Sequence, residues 1–219
     1  MHFSVDVLSS GLSLACAALA GVLLIIAIPG LRALRGHPER LHLMFGAAVA
    51  LALLWSVNAR IDPGIALHVL GTPAVVLLLG WRLAMLAAAL AELALLALGV
   101  TSPALAPAGW LLSAALPGGV IVAIAWIARF YLPRNPFIFI FVCGFFGAAV
   151  ALLATWLVGV ALLSWSGQPS PSGAGASLGA FLPLVLFPEA FINGVMISML
   201  IVYRPEWVRL YDEAFYARS

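Results

Sequence analysis

Long apolar runs fill most of the chain, and short stretches of charged, proline and glycine residues separate them. A helix needs about 20 apolar residues to cross the hydrocarbon core of a membrane, so these runs predict membrane-spanning helices. The breakers between them divide the chain into seven spans. The predicted spans are 9–31, 42–57, 65–81, 83–100, 109–131, 137–165 and 178–203. The pattern predicts an all-α, polytopic membrane helix bundle that forms a single transmembrane domain over residues 1–219.

The composition is that of a membrane protein, most of whose surface faces lipid. Hydrophobic residues make up 65% of the chain and charged residues only 8%, against about 25% charged residues in a soluble domain. The basic residues are all arginines and lie singly along the chain, so the sequence predicts no nucleic-acid partner. The first apolar run lacks a basic region ahead of it, which indicates an uncleaved span. Cys16 and Cys143 lie within apolar runs and are interpreted as small buried hydrophobes.

The arginines also predict the orientation of the bundle. Seven spans place the two chain ends on opposite sides of the membrane. With the N-terminus outside, nine arginines face the cytoplasm and only Arg60 faces out. Because positive residues concentrate in cytoplasmic loops, this asymmetry predicts an outside N-terminus and a cytoplasmic C-terminus.

Two histidines then fall on the same predicted side. His2 can offer a metal ion the α-amine of Met1, its own backbone amide and its imidazole. His68 lies about one helical turn, roughly 5 Å, inside the outer end of the third predicted span. A four-nitrogen set of this kind suits Ni²⁺ or Co²⁺. His37 and His42 lie on the predicted cytoplasmic side and cannot join it.

Each of these residues also has a simpler interpretation. From the residues alone, His2 is most simply a disordered terminal residue, and His68 a residue that hydrogen-bonds between helices. Asp6 is either a cap of the first helix or a hydrogen-bond partner that orients the N-terminal segment. Glu92 and Glu189 are ionisable residues within spans, where such groups usually face the bundle interior. A structural role is favoured for both, with a place on a permeation route as the alternative for Glu92.

The sequence offers no catalytic constellation. It contains neither a phosphate-binding Gly-Lys-Ser/Thr loop nor a nucleophile beside a base. We therefore predict that the protein is not an enzyme. If ATP drives transport, the ATPase must be another chain.

The motifs and their order resemble a known family. These motifs are Met1-His2, then Asn58, then Gly64-x-x-x-His68-x-x-Gly71, and Pro188-Glu189-Ala190-x-x-x-Gly194 in the last span. Together they resemble the substrate-capture component of cobalt and nickel energy-coupling-factor transporters.

The resemblance implies specific roles and partners. It implies metal ligation by Met1, His2 and His68, with Asn58 and Gly64 shaping the loop over the metal. It implies no permanent cofactor, Ni²⁺ or Co²⁺ as the transported ion, and a multi-pass protein of the plasma (inner) membrane. The expected partners are a membrane scaffold permease and cytoplasmic ATPase subunits.

One departure leaves a second function open. The family usually has a proline and a glycine shortly after the second residue, whereas this chain continues Phe3-Ser4-Val5-Asp6. The alternative is a non-transporting membrane assembly or interaction subunit built on the same scaffold.

Overall fold

The computed structural model describes residues 2–3, 10–57, 59–62, 65–165 and 174–216. Helices dominate these residues. The helices are α1 (Ser10–Ala27), α2 (Pro38–Ser56), α3 (Thr72–Leu79), α4 (Trp81–Ala97), α5 (Ala106–Tyr131), α6 (136–165), α7 (Ala174–Tyr203) and the short α8 (Glu213–Tyr216). A 3₁₀ stretch, Ile28–Leu34, continues α1, and another, Pro205–Trp207, follows α7.

Five helical segments of the described part are long and apolar enough to cross a membrane. They are Ser10–Leu34, Pro38–Ser56, Ala106–Tyr131, Pro136–Leu162 and Leu182–Tyr203. Their lipid-facing positions carry large exposed hydrophobic side chains, as a bilayer solvent requires. The predicted membrane helix bundle is confirmed, and seven helical segments, α1 to α7, correspond in order to the seven predicted spans.

The predicted third span is wrong in length. It was expected over 65–81, but α3 has only eight residues, about 12 Å of helix. That is too short to cross a hydrocarbon core of about 30 Å. Gly71, in a left-handed conformation with φ of 66°, and Pro73 in the first turn set its start, and Gly80 sets its end. His68 therefore lies ahead of a helix rather than inside one.

The bundle carries a small sheet that the all-α prediction did not include. Its strands are β1 (His2–Phe3), β2 (Ala59–Asp62) and β3 (Ile65–Leu67), in the order β1-β3-β2 with antiparallel pairing. In the β1–β3 pair, His2 is opposite Ala66 and Phe3 is opposite Ile65. The sheet joins the start of the chain to the segment that leads into His68.

The core is built around α3. Every residue of α3 except Leu78 is buried, and α2, α4, α5, α6 and α7 all pack against it. At its N-terminal end lie the sheet and His68, here called the His68 end. At its C-terminal end, the backbone N–H groups of Arg209 and Leu210 donate to the carbonyls of Leu78 and Leu77, both at 3.1 Å. We call this the tail end, and residues 204–216 the tail.

A close approach of α6 and α7 completes the bundle. The Cα of Gly194 lies close to Gly144, and a Cβ added at Gly194 would overlap the ring of Phe145. Only glycine fits there, because small residues let membrane helices approach closely. This contact holds α7, and with it Glu189, against the rest of the bundle.

Candidate metal centre

His68 is the centre of a buried polar cluster. Its side chain is only 4% exposed. Its Nδ1 lies 3.0 Å from the carbonyl oxygen of Val69. A carbonyl only accepts hydrogen bonds, so this contact places the ring proton on Nδ1. Nε2 is then the unprotonated nitrogen, which is the form that coordinates a metal ion, and the N–H-to-carbonyl contact is the usual way of orienting a ligand histidine.

Ser113 lies next to that nitrogen. Its Oγ is 3.4 Å from His68 Nε2, and because Nε2 is unprotonated the hydroxyl is the donor. Ser113 itself is completely buried. A metal ion that binds Nε2 would take the place of the hydroxyl proton along the same lone pair.

A local irregularity in α5 positions Ser113. Residues Leu111–Ala115 form a π-helical segment, and such single turns occur often at functional sites. Pro117 has no N–H, so carbonyls of the preceding turn lose a helical donor. The Ser113 carbonyl instead accepts a hydrogen bond from Thr72 Oγ1 at 2.6 Å, and Thr155 Oγ1 lies 3.2 Å from the Leu112 carbonyl. The hydrogen bond from Thr72 thus joins α5 to the start of α3, at a point where Pro117 provides no helical donor.

Trp55 covers another side of the cluster. Its side chain is fully buried, and its ring centroid lies 5.8 Å from that of His68 at an interplanar angle of 46°. Its Nε1–H donates to the Leu70 carbonyl at 2.9 Å. One side chain from α2 therefore packs on the imidazole and also fixes the backbone two residues beyond it.

Glu189 and Asn193 of α7 bind the backbone that follows His68. The Glu189 carboxylate accepts hydrogen bonds from the N–H groups of Leu70 and Gly71, the latter at 3.0 Å. The side-chain amide of Asn193 donates to Glu189 Oε1 at 2.8 Å, and its oxygen accepts from the Ala74 N–H at 2.9 Å. Both side chains are completely buried.

The sheet brings the chain start towards this cluster. Neighbouring strands lie roughly 5 Å apart, so the His2 backbone lies about that far from Ala66, its partner in the ladder. Ala66 precedes His68 by two residues, which span at most about 7 Å. The backbone nitrogen of His2 is therefore near the His68 loop.

A small cavity adjoins His68 on the side of α6 and α7. Its volume is about 10 Å³, close to the least space that a single water molecule needs. It is lined by His68, Leu70, Leu152, Thr155, Trp156, Leu182 and Val185. The space is too small for an organic substrate.

The remaining predicted site residues lie outside the described residues or elsewhere in the bundle. Met1, Asp6, Asn58 and Gly64 lie outside the described residues. Glu92 is buried in α4, and its role stays a prediction. Elsewhere, His37 ahead of α2 contacts Glu39 at 2.9 Å. Within the described ranges, no group of three or more His, Cys, Asp or Glu side chains could hold a metal, and the predicted set relies on a terminal amine and an amide instead.

Sequence reasoning did not select Ser113, Trp55, Thr72 or Asn193 for this cluster. Two signals pointed towards them. The Gly71-Thr72-Pro73 run is a helix-start signal that separates His68 from α3. Asn193 follows Glu189 by four residues, which places both on one face of a helix.

Comparisons relate the whole chain to known proteins. The profile of the CbiM family, described as the cobalt uptake substrate-specific transmembrane region, matches residues 2–207. The chain belongs to the CbiM family. The expected membership of a cobalt-transport family is confirmed. No curated protein matches the sequence.

A solved structure shares the fold. It is described as a truncated transition metal transporter and is 16% identical in sequence, with a TM-score of 0.71. The match covers 93% of this chain and 99% of the other. As a CbiM family member, the chain is a multi-pass membrane component of metal uptake and a transporter subunit rather than an enzyme.

Proposed function

We propose that the chain is the substrate-capture subunit of an energy-coupling-factor transporter that imports Ni²⁺ or Co²⁺. The metal is cargo, held for a time and then released. The ligands in this proposal are the Met1 amine, the amide and imidazole of His2, and His68 Nε2. Four nitrogens in a roughly planar set suit both ions.

The observation that carries the proposal is the β1–β3 ladder beside a buried histidine. The ladder places His2 opposite Ala66, two residues before His68. His68 in turn directs its Nδ1 proton at a backbone carbonyl, and its Nε2 lies beside the Ser113 hydroxyl. If β1 served only to attach the N-terminal segment to the bundle, β3 would not need to be followed by a buried and oriented imidazole.

The orientation and partners belong to the same proposal. The arginine asymmetry, nine to one, supports an N-terminus outside and a C-terminus in the cytoplasm, and the N-terminal ladder and the tail lie at different ends of α3. In that arrangement the metal is captured from outside the plasma (inner) membrane. A scaffold permease and cytoplasmic ATPase subunits would supply the coupling to ATP hydrolysis.

The test uses the geometry of the chain start. Two leucines inserted between Met1 and His2 move the terminal amine out of the five-membered chelate ring that it forms with the His2 amide, but leave both imidazoles and all spans intact. Leucine is large, so Met1 is retained, whereas an inserted alanine would lead to removal of Met1 and restore the same chelate ring. The control variants carry one alanine added after Ser219, or His42→Ala, which removes an exposed histidine. We expect the insertion to lower Ni²⁺ and Co²⁺ affinity by about a hundredfold or more, and both controls to bind like wild type, in titrations of purified protein at neutral pH.

Equal affinity in all four proteins would contradict the ligand set. Absence of metal binding by the wild-type chain would contradict capture itself. That second result would favour the alternative, a non-transporting assembly subunit, for which the altered segment Phe3-Ser4-Val5-Asp6 is the supporting feature.

A further inference from the structure

Glu189 caps a helix that is 118 residues away in sequence. Its two carboxylate oxygens accept the N–H groups of Leu70 and Gly71 at the start of α3. The first N–H groups of any helix have no partner within the helix. Gly71, at the N-cap position, has no side chain to accept from them. A carboxylate also suits this place because the N-terminus of a helix carries a partial positive charge.

Asn193 holds that carboxylate in place. One turn further along α7, its amide nitrogen donates to both Glu189 Oε1 and the Glu189 carbonyl, at 2.8 and 2.6 Å. Its oxygen accepts the N–H of Ala74 in the first turn of α3. The two side chains together bind three backbone N–H groups of one short segment.

The same segment is held from the other side by Trp55. Its Nε1–H donates to the Leu70 carbonyl while its ring packs on His68. Leu70 thus has its N–H bound from α7 and its carbonyl bound from α2. Since Leu70 is two residues from His68, these bonds fix the backbone that carries the imidazole.

We propose that Glu189, held by Asn193, is a positioning residue for metal capture: it fixes the 68–71 backbone so that His68 Nε2 points at the ion. This inference rests on the proposed function. Outer partners of metal ligands typically contribute about 10–100-fold in affinity. Glutamine at this position would turn an N–H₂ group towards N–H donors and lose one of the bonds.

The experiment compares Glu189→Gln with Glu92→Gln, which removes another buried carboxylate from the spans. It also includes His68→Ala and the double variant Glu189→Gln/His68→Ala. Two quantities are measured on the purified full chain: Ni²⁺ affinity, and hydrogen exchange of the peptide over residues 68–79. Asn193→Ala keeps the carboxylate and removes one of its donors, so it provides a milder second variant if Glu189→Gln fails to insert.

We expect Glu189→Gln to lower Ni²⁺ affinity about 10–100-fold and to speed exchange at the start of α3, while Glu92→Gln changes neither. In the His68→Ala background, Glu189→Gln should cause no further loss, because residues that act through one another are not additive. Asn193→Ala should shift both quantities in the same direction by less.

Two results would overturn the inference: wild-type affinity in Glu189→Gln, or losses that multiply in the double variant. If wild-type protein and Glu92→Gln bind no Ni²⁺, the proposed function fails, and hydrogen exchange then decides alone. Faster exchange in Glu189→Gln would keep Glu189 as the anchor of the 68–71 backbone. Unchanged exchange would reject it.

Discussion

The two ends of α3 are both held by segments distant in sequence, but they are held by different chemistry. At the His68 end, side-chain oxygens of Glu189 and Asn193 bind backbone N–H groups. At the tail end, backbone N–H groups of the tail bind the last carbonyls of the helix. Both arrangements satisfy groups that a helix terminus leaves without partners.

Around the tail, Asp212 pairs with Arg129 at 3.3 Å, and several other contacts involve aromatic rings. Phe139, Tyr211 and Tyr216 pack together with ring centroids 5.2 to 5.4 Å apart. Arg129 and Arg134 each lie 4.6 Å from the ring centre of Phe215. Burial raises the pKa of Tyr216 to about 12, so its phenol stays neutral in this packing at physiological pH. These contacts pack the tail against the bundle.

Around His68, there are more buried polar side chains than the capping of α3 requires. His68, Ser113 and Trp55 do not bind N–H groups of α3, yet all three are buried and directed at one another or at the adjoining backbone. Burying polar groups costs free energy unless each has a partner. Under the proposed function, the His68 end of α3 serves metal binding, whereas the tail end serves stability.

The largest expected effect is on Ni²⁺ affinity, and it tests the difference between the two ends of α3. His68→Ala leaves the three proposed N-terminal nitrogens but removes the fourth ligand. We expect Ni²⁺ affinity to fall about a thousandfold, or about 4 kcal/mol. The free energy of unfolding should fall by less than that, through the loss of a buried imidazole that packs on Trp55. Titration calorimetry and denaturant unfolding in the same detergent measure the two quantities. A variant that unfolds readily but binds normally would reverse the assignment of the two ends.

The next effect concerns the tail. Tyr216 is 1% exposed, and truncating a buried aromatic side chain costs about 3 kcal/mol or more. We therefore expect Tyr216→Ala to lower the free energy of unfolding by about that amount and to leave Ni²⁺ affinity within about twofold of wild type. A large loss of metal affinity in this variant would break the separation between the two ends.

The smallest effect concerns the hydroxyl beside His68. Ser113→Ala removes the donor to Nε2 but leaves the carbonyl that binds Thr72. We expect a change in Ni²⁺ affinity of about tenfold or less, because the metal replaces this hydrogen bond when it binds. Ser113→Thr keeps the hydroxyl and serves as the control. A loss as large as that of His68→Ala would mean that Ser113 is itself a ligand.

The sequence predicted the helices well and this cluster only in part. Hydropathy located all seven helical segments, because lipid exposure leaves a strong apolar signal. Hydropathy predicted the wrong length for α3. The apolar run over 65–81 was predicted as one span, but it contains a strand, a loop and a short helix. Hydropathy does not distinguish residues buried in protein from residues in lipid, and α3 is buried almost completely.

The contacts at His68 depend on long-range geometry. Glu189 was recognised as an interior polar residue, but its partners Leu70 and Gly71 lie 118 or more residues away. Ser113 reaches His68 through a π-helical turn, which its local sequence signals only through Pro117. The strand β1, which pairs His2 with Ala66, has only two residues. Two residues are too few to show the alternating pattern of a strand.

The central claim is that His68 and the N-terminal nitrogens bind one metal ion. The most direct test is X-ray absorption spectroscopy of the Ni²⁺-loaded chain with its native N-terminus, compared with His68→Ala. We predict a first shell of four nitrogens in the wild type, and the loss of the imidazole scattering of one ring in the variant. A first shell rich in oxygen, unchanged by His68→Ala, would contradict the claim.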